Sequence, residues 1–339
     1  MSARVEDILA KFEGLFLDKT PLLRTPRTIQ ILLVRQTHDF AIFRTEESRE
    51  LNTAVTPRNV HDSAQFTRIA FLASKQKAPE TRLYSALVKE YFNRFEIATR
   101  LEKERLSVSK QMIEAIEACE LKDRLCRSCP RCVLFGAVTT EKGQGARWNI
   151  KHRIEYSTAF SLEPYQLVSE HLTFNAITES TQSTEQALGV SEQVSPAVNF
   201  PCIITINSPT KEEFIMVVKM LLASKSYGAE GRLKGDVVNY VTGIVGGLEE
   251  IITPLEYCLE LAADTSEVSI TEKTYRILRE YSELAAFREA VVLPVANDTQ
   301  ALIDYIQRMP VDKEMTFRLY RNSIDFATRV GQVATKTAT

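Results

Sequence analysis

Four of the chain's six cysteines, Cys119, Cys126, Cys129 and Cys132, fall within the stretch ACELKDRLCRSCPRC. Two C-x2-C steps share Cys129, and the fourth thiol lies just upstream. Thiolates this close in sequence can converge on one soft or borderline metal without a long loop. A structural zinc is the first reading. A 4Fe–4S cluster is the lesser alternative, because overlapping C-x2-C-x2-C spacing also occurs in iron–sulfur proteins, usually with a distant fourth cysteine. Cys202 or Cys258 could then stand in for Cys119, and His152 could replace one cysteine in a Cys3His zinc site. Reduced thiols without metal are the plain alternative. A disulfide framework fits poorly, because no secretory signal is present. Lys122, Arg124, Arg127 and Arg131 flank the thiols. A metal clip among them would make a rigid, positively charged knuckle of the kind that binds nucleic acid.

A second constellation is KSYGAEGRLKGD. Gly228, Gly231 and Gly235 follow a helical pattern and precede a strand, the reverse of the order in nucleotide-binding glycine loops, and no GK[ST] is present. Backbone N–H groups with Lys225, Arg232 and Lys234 interspersed suit a phosphate chain. The alternative is a tight connection whose glycines serve left-handed turns. Trp148, the one tryptophan, lies in ARWNIKHR, where its ring could stack on a base or pack in a core. Hydrolytic chemistry finds little support: HExxH, GxSxG and DxD are all missing, and the four histidines, His38, His61, His152 and His171, are scattered. Asp39 beside His38 and Asp62 beside His61 read as turn-forming residues. The expectation is a protein that is not an enzyme.

The elements that must position these residues alternate between strand and helix. Val5, Ile8, Leu9, Phe12 and Phe16 recur at helical spacing, so residues 1–24 read as an amphipathic N-terminal helix and not a signal peptide. TPRTIQILLVRQTHDFAIFRTEE reads as a β-hairpin: Ile29, Ile31, Leu33 and Arg35 share one face, His38 and Asp39 make the turn, and Phe40, Ile42 and Arg44 begin the return strand. A helix runs on from Thr81, and SVSKQMIEAIEA is a second. Residues 153–162 alternate as a strand. Residues 172–200 hold a Ser/Thr/Gln/Glu-rich middle that cannot bury much surface alone, which predicts a long projecting arm. PCIITI is a buried strand, Thr210 and Glu213 make a capping box for helix 210–224, and 237–245 is a strand. Ser269 and Glu272 cap a further helix, and two amphipathic helices complete the chain.

Helix 210–224 between two strands looks like the second half of a βαββαβ unit. The fold class expected is α+β, an RRM/ferredoxin-like palm with large insertions. Residues 25–47 and 153–250 would form the palm and 48–152 an inserted helical, cysteine-rich region. Residues 172–200 would be an arm within the palm, and 251–339 a helical C-terminal region. Composition is ordinary for a globular protein, and no apolar run approaches membrane-spanning length. A soluble cytoplasmic protein without a membrane partner is expected. Net charge is only −2, but residues 121–153 hold eight Lys/Arg against two acids, and residues 248–290 hold ten acids against four Lys/Arg. A polyanion would meet the first segment and avoid the second. Opposed patches can also join identical subunits head to tail, and an open contact of that kind gives a filament.

The cysteine insertion ending in CRSCPRCVLFG, the projecting arm before PCIITI, and the late loop SYGAEGRLKGD together resemble the RAMP-superfamily backbone subunits of CRISPR surveillance complexes. The nearest resemblance is to the type I-D large backbone subunit, over roughly residues 25–250. It implies a non-catalytic scaffold whose copies stack head to tail along a guide crRNA, beside other effector subunits. The thumb-like arm would cross the guide, and base pairing, not the protein, would read the target. Lys225, Arg232 and Lys234 would touch guide phosphates, with Arg35 as a further contact. Arg124, Arg127, Arg131 and Lys142 would face the target or displaced strand. The arm carries Glu179, Glu185 and Glu192 but no Lys or Arg, so it would act by shape and backbone contact. The other function considered is an RNA-processing or target-RNA-cleaving nuclease of the same superfamily, with Tyr227 and Lys225, or Asp39 and Asp62, as its reactive groups.

Overall fold

The structure, a computed structural model, describes residues 2–45, 48–104, 108–121, 124–138, 149–174, 189–228 and 233–337. The elements run α1 (Ser2–Ala10), β1 (Thr28–Thr37), β2 (Thr53–Pro57), β3 (Gln65–Phe71), α2 (Ala73–Arg94), α3 (Ile97–Lys103), α4 (Lys110–Glu117), α5 (Pro130–Phe135), β4 (Ile154–Tyr156), β5 (Ala159–Phe160) and α6 (Tyr165–Val168). They continue with β6 (Ser169–Phe174), β7 (Gly189–Val194), β8 (Asn199–Asn207), α7 (Lys211–Ala223), β9 (Val237–Gly247), α8 (Pro254–Ala263), α9 (Ile270–Leu284), α10 (Ala296–Arg308) and α11 (Lys313–Thr337). No helix among the described residues is long and apolar enough to cross a membrane.

The main sheet has the order β4-β8-β1-β9, with every neighbouring pair antiparallel. Strand β1 is its hub, pairing with β8 along one edge and with β9 along the other. Both faces are covered. Ile29, Ile31, Leu33, Ile204 and Ile206 join Phe214 and Val217 of α7, Leu302 of α10 and Phe317 of α11 in one core. On the opposite face, Leu32, Val34, Ile203 and Val245 pack with Tyr257 and Leu261 of α8 and Ile277 and Leu278 of α9. This is why β1 reads as a nearly unbroken apolar run: alternate residues enter two different cores, and each buried aliphatic side chain contributes roughly 1.5–3 kcal/mol. The C-terminal helices are therefore two layers of the molecule, one on each side of the sheet.

The capping box at Thr210 and Glu213 forms as its spacing predicts. Glu213 does more than cap. Its carboxylate also receives the Arg153 guanidinium in a buried, two-pronged ion pair, and Arg153 donates a further bond to Ser208 O at 3.0 Å. Ser269 caps α9 as expected.

The hairpin expected after residue 28 does not form. Both edges of β1 are taken by β8 and β9, so residues 38–45 leave the sheet and touch β7 through one bridge, Ala41 to Val194. A hairpin appears later instead, β2 with β3. Arg68 pins it, donating from Nε to Thr56 Oγ1 at 2.9 Å and from Nη1 to Ser161 O at 2.5 Å. The strand expected over 153–162 is split into β4 and β5, which join different sheets. The predicted arm holds the paired strands β6 and β7, and its middle, with Glu179 and Glu185, lies outside the described residues. Glu192 anchors the base of the arm, accepting from Leu51 N at 2.8 Å and Tyr165 Oη at 2.6 Å.

Candidate metal centre and nucleic-acid interface

The sulfurs of Cys119, Cys126, Cys129 and Cys132 lie within 4.8 Å of one another. Cys119 follows α4, Cys126 and Cys129 flank a sharp turn, and Cys132 is in the first turns of α5. The Sγ–Sγ separations are 3.6 Å for Cys119–Cys132, 3.8 Å for Cys129–Cys119 and 4.0 Å for Cys126–Cys132. Four zinc–sulfur bonds of about 2.3 Å in a tetrahedron put the sulfurs about 3.8 Å apart. The four thiols could therefore hold one metal ion, and their spacing is compatible with zinc. Four irons with one thiolate each would hold the sulfurs farther apart.

The turn is built for this. Arg127 adopts φ 61°, which aims the N–H groups of Ser128 and Cys129 at Cys126 Sγ at 3.4 and 3.2 Å. Cys126 N–H points at Cys119 Sγ at 3.4 Å. Such donors favour thiolates. The hydrogen bonds that the thiols share split them: Cys119 and Cys132 are held below the ordinary thiol range, while Cys126 and Cys129 are pushed up. The proposed stand-ins lie elsewhere: Cys202 receives Arg35 Nε at 3.1 Å, Cys258 donates to Phe160 O at 3.5 Å, and neither Cys202, Cys258 nor His152 joins the thiol group.

The cluster is not a surface knuckle. Cys119, Cys129 and Cys132 are buried, and α5 packs between α2 and α11, with the Phe135 and Tyr84 rings 5.1 Å apart. Lys89 of α2 donates to Cys119 O. The expected role of Arg131 is corrected here: the side chain is buried, and Nη1 points at Cys132 Sγ at 3.3 Å. Arg153 is buried too, neutralised by Glu213. The excess of positive charge counted over 121–153 thus reaches the surface only in part. Arg124 is exposed and Arg127 half-buried, while Lys142 and Trp148 lie outside the described residues.

Arg35 is likewise corrected. It is 0% exposed and sits on the α2 side of the sheet, on the face that Ile29, Ile31 and Leu33 share. Its Nη1 meets Glu80 Oε1 at 2.6 Å, Tyr227 Oη at 2.9 Å and Asn239 Oδ1 at 2.9 Å. Glu80 also accepts from Tyr227 Oη and Tyr156 Oη, both at 2.6 Å. Burial and the neighbouring Glu80 charge push both tyrosines up, so their hydroxyls stay protonated and donate. These bonds offset part of the desolvation cost of the buried Arg–Glu pair, while Arg35 Nη2 is buried without a partner among the described residues.

That network is the floor of the glycine-rich loop. Tyr227 is 1% exposed and ties the loop to α2 and β9. Gly228 and Gly235 have φ of 64° and 68°. A Cβ on Gly235 would fall 1.8 Å from Tyr227 O, and one on Gly228 would fall 2.8 Å from Ile42 O. At these two positions the glycines serve left-handed turns and close approach to the chain's own backbone. Lys225 and Lys234 are exposed, with Lys234 paired to Asp236, and Gly231 and Arg232 lie outside the described residues.

Beside the loop opens a cleft of about 470 Å³, lined by Ile42, Arg44, Thr45, Lys75, Ala78, Pro79, Arg82, Ser226, Tyr227 and Gly228. Among the described residues its lining holds three cations and no carboxylate. Lys75 and Arg82 project from one face of α2, seven residues apart, with Ala78 and Pro79 leaving room between them. Arg44 donates to Ser191 Oγ of β7 at 2.6 Å, which sets the cleft at the base of the arm. Sequence reasoning missed all three cations. The i, i+7 spacing of Lys75 and Arg82 around small residues was the signal that could have found two of them.

The aspartates act as turn residues, as expected. Asp39 accepts from Phe40 N at 2.8 Å, and Asp62 accepts from Ala64 N at 2.9 Å and pairs with Arg58 at 3.3 Å.

Among solved structures, the chain is similar to "Crystal structure of Thermofilum pendens Csc2", at 17% identity over 97% of this chain and 98% of that one, with a TM-score of 0.64. Two further likenesses have TM-scores of 0.46 and 0.41 and cover 76% of this chain each. One, with "CRISPR RNA-guided surveillance complex, pre-nicking", has 12% identity over 88% of that chain; the other, with "CRISPR RNA-guided surveillance complex", has 13% over 83%. No curated protein matches. The Thermofilum likeness shows a shared fold. The match to a protein family is independent of it and runs over residues 15–324, from the end of the first helical segment into the last helix, so the chain belongs to the Csc2 Crispr family.

Proposed function

We propose that this chain is the large backbone subunit of a type I-D CRISPR surveillance complex, a non-catalytic scaffold that grips guide crRNA by its phosphate chain without reading sequence. The observation that carries this reading is the cleft of Arg44, Lys75 and Arg82 at the foot of the glycine-rich loop. Three cations lining one cleft favour a phosphate chain. Lys225 and Lys234 add exposed cations along the loop, and the loop's sequence carries a further one, Arg232. The palm is RRM/ferredoxin-like: strand order β4-β8-β1-β9, with α2 between β1 and β4 and α7 between β8 and β9, matches the split βαβ arrangement. The β6–β7 arm is the thumb, and a single zinc holds the cysteine insertion. Arg124, Arg127 and Lys142 face the target strand. Copies stack into a filament along the guide, with the acid-rich segment 248–290 of one meeting the basic surface of the next.

A nuclease has less support. Tyr227 is buried with its hydroxyl on Glu80, and none of the four histidines lines the cleft. The test is titration of the protein into labelled single-stranded RNAs of increasing length, with single-stranded and duplex DNA beside them. Stepwise addition of subunits as the RNA lengthens, with no cutting and with affinity falling steeply with salt, is the expected result. Cutting would replace the reading with the nuclease, and no preference for RNA would remove it.

A further inference from the structure

The glycine-rich loop has a second side. Its far strand becomes β9, and the face of β9 turned away from Arg35 carries Tyr240. On this face most of the sheet is roofed by α8 and α9, which cover Leu32, Val34, Ile203 and Val245. The roof stops short of one end. There Tyr240, opposite Val34 in register, is 44% exposed on a regular strand. His38, at the end of β1, is exposed beside it. The two rings lie 6.4 Å apart at 38°, with Tyr240 Oη 3.3 Å from His38 Nε2.

This pair is held in place by a chain of polar contacts. His38 Nε2 lies 3.1 Å from Gln36 Oε1, Gln36 Nε2 donates to Asn199 Oδ1 at 3.0 Å, and Asn199 Nδ2 donates to Glu163 at 2.7 Å. The platform is also joined to the loop. His38 N–H donates to Asp236 O at 2.8 Å, and the Asp236 carboxylate pairs with Lys234. Ser226, which lines the basic cleft, donates to Lys234 O at 2.9 Å. The exposed aromatic pair is thus joined through Asp236 to Lys234 and, through Ser226, to the loop that walls the cleft. An exposed ring kept rigid on a sheet is what an unpaired base needs, because stacking is sequence-tolerant and a fixed ring loses little entropy on binding.

We propose that Tyr240, braced by His38, is a stacking platform for one unpaired base of single-stranded RNA, with Lys234 positioned to meet the adjoining phosphate. The inference rests on the RNA-binding reading above and adds a base contact to it. The test compares the full chain with Tyr240→Ala, Tyr240→Phe and Arg82→Glu on single-stranded RNA, over a range of salt, using intact oligonucleotides and ones with abasic sites. Tyr240→Ala is expected to weaken binding about five- to a hundredfold, with an unchanged salt slope and melting temperature. Tyr240→Phe keeps the ring and should bind like the parent. On fully abasic RNA, Tyr240→Ala and the parent should bind alike. Arg82→Glu should weaken binding and lower the salt slope. If Arg82→Glu weakens binding while Tyr240→Ala does not, the platform is wrong and the phosphate reading stands. If Tyr240→Phe is as weak as Tyr240→Ala, the hydroxyl's bond to His38 matters structurally and the stacking claim falls. If the parent itself does not bind RNA, the underlying reading fails and the platform fails with it.

Discussion

The cysteine cluster and the glycine-rich loop carry similar signals in sequence, cations interleaved with residues that permit tight turns, yet they end in opposite places. The cluster is enclosed by α2 and α11, and its nearest arginine, Arg131, is buried against a thiol. The loop stands at the surface, over a buried Arg35–Glu80–Tyr227 floor and beside an open cleft with Arg44, Lys75 and Arg82. A cation's position in sequence does not decide whether it reaches solvent; the face of the element carrying it does. On the function proposed above, the first region holds the fold and the second meets the RNA.

The largest effect tests the first half of that contrast. Cys129→Ser removes one of four converging ligands, and a structural zinc supplies on the order of 10 kcal/mol of binding free energy. We expect elemental analysis to fall from one zinc per chain to none, with a marked drop in melting temperature. Metal should also leave as pH falls, because thiolates must take up protons to release it. At a temperature where both proteins are folded, RNA affinity should stay within about twofold of the parent, since no phosphate contact is removed. Unchanged metal content would sink the site, and lost RNA binding in the folded variant would break the contrast.

Glu80→Ala comes next. It leaves Arg35 charged and buried, which costs roughly 3–5 kcal/mol, measurable by urea denaturation. The same change removes the acceptor of the Tyr227 hydroxyl, leaving only the bonds it receives from Arg35 and Asn239, and should loosen the loop. Glu80→Gln, which keeps two hydrogen-bonding positions, should cost less. Equal stability of Glu80→Ala and the parent would show that the network is not what fixes the loop. Arg82→Glu is smaller again. It should raise the Kd for RNA about tenfold and reduce the salt slope by about one, without changing the melting temperature.

Much of the frame was readable in the residues, and the failures have physical causes. The Thr210/Glu213 box, strands β8 and β9 and the four converging cysteines depend on local spacing, and local spacing was enough. The hairpin expected at His38–Asp39 failed because two distant strands compete for both edges of β1, and only the tertiary pairing shows that. Arg35 was misjudged although its pattern held the answer: it alternates in step with Ile29, Ile31 and Leu33, the row that faces a core. What no pattern displayed was the partner, since Glu80 lies 45 positions away. Lys75 went unnoticed as a partner for Arg82 because the helix was expected to begin at Thr81, whereas α2 begins at Ala73.

Arg124 offers the finest test of the contrast, because it is an exposed cation among the described residues around the cysteines. Its side chain is exposed, unlike those of Arg131 and Arg153, so it is a cation of that region that solvent and a nucleic acid strand can reach. A single exposed charge at ordinary ionic strength acts over only about 8 Å. Arg124→Glu should therefore weaken RNA binding about twofold, well below the effect of Arg82→Glu in the cleft, and leave metal content unchanged. A tenfold loss would mean that the cysteine region carries part of the binding surface itself, with the buried thiols serving to present Arg124. The division between a region that holds and a region that binds would then have to be redrawn through the middle of the insertion.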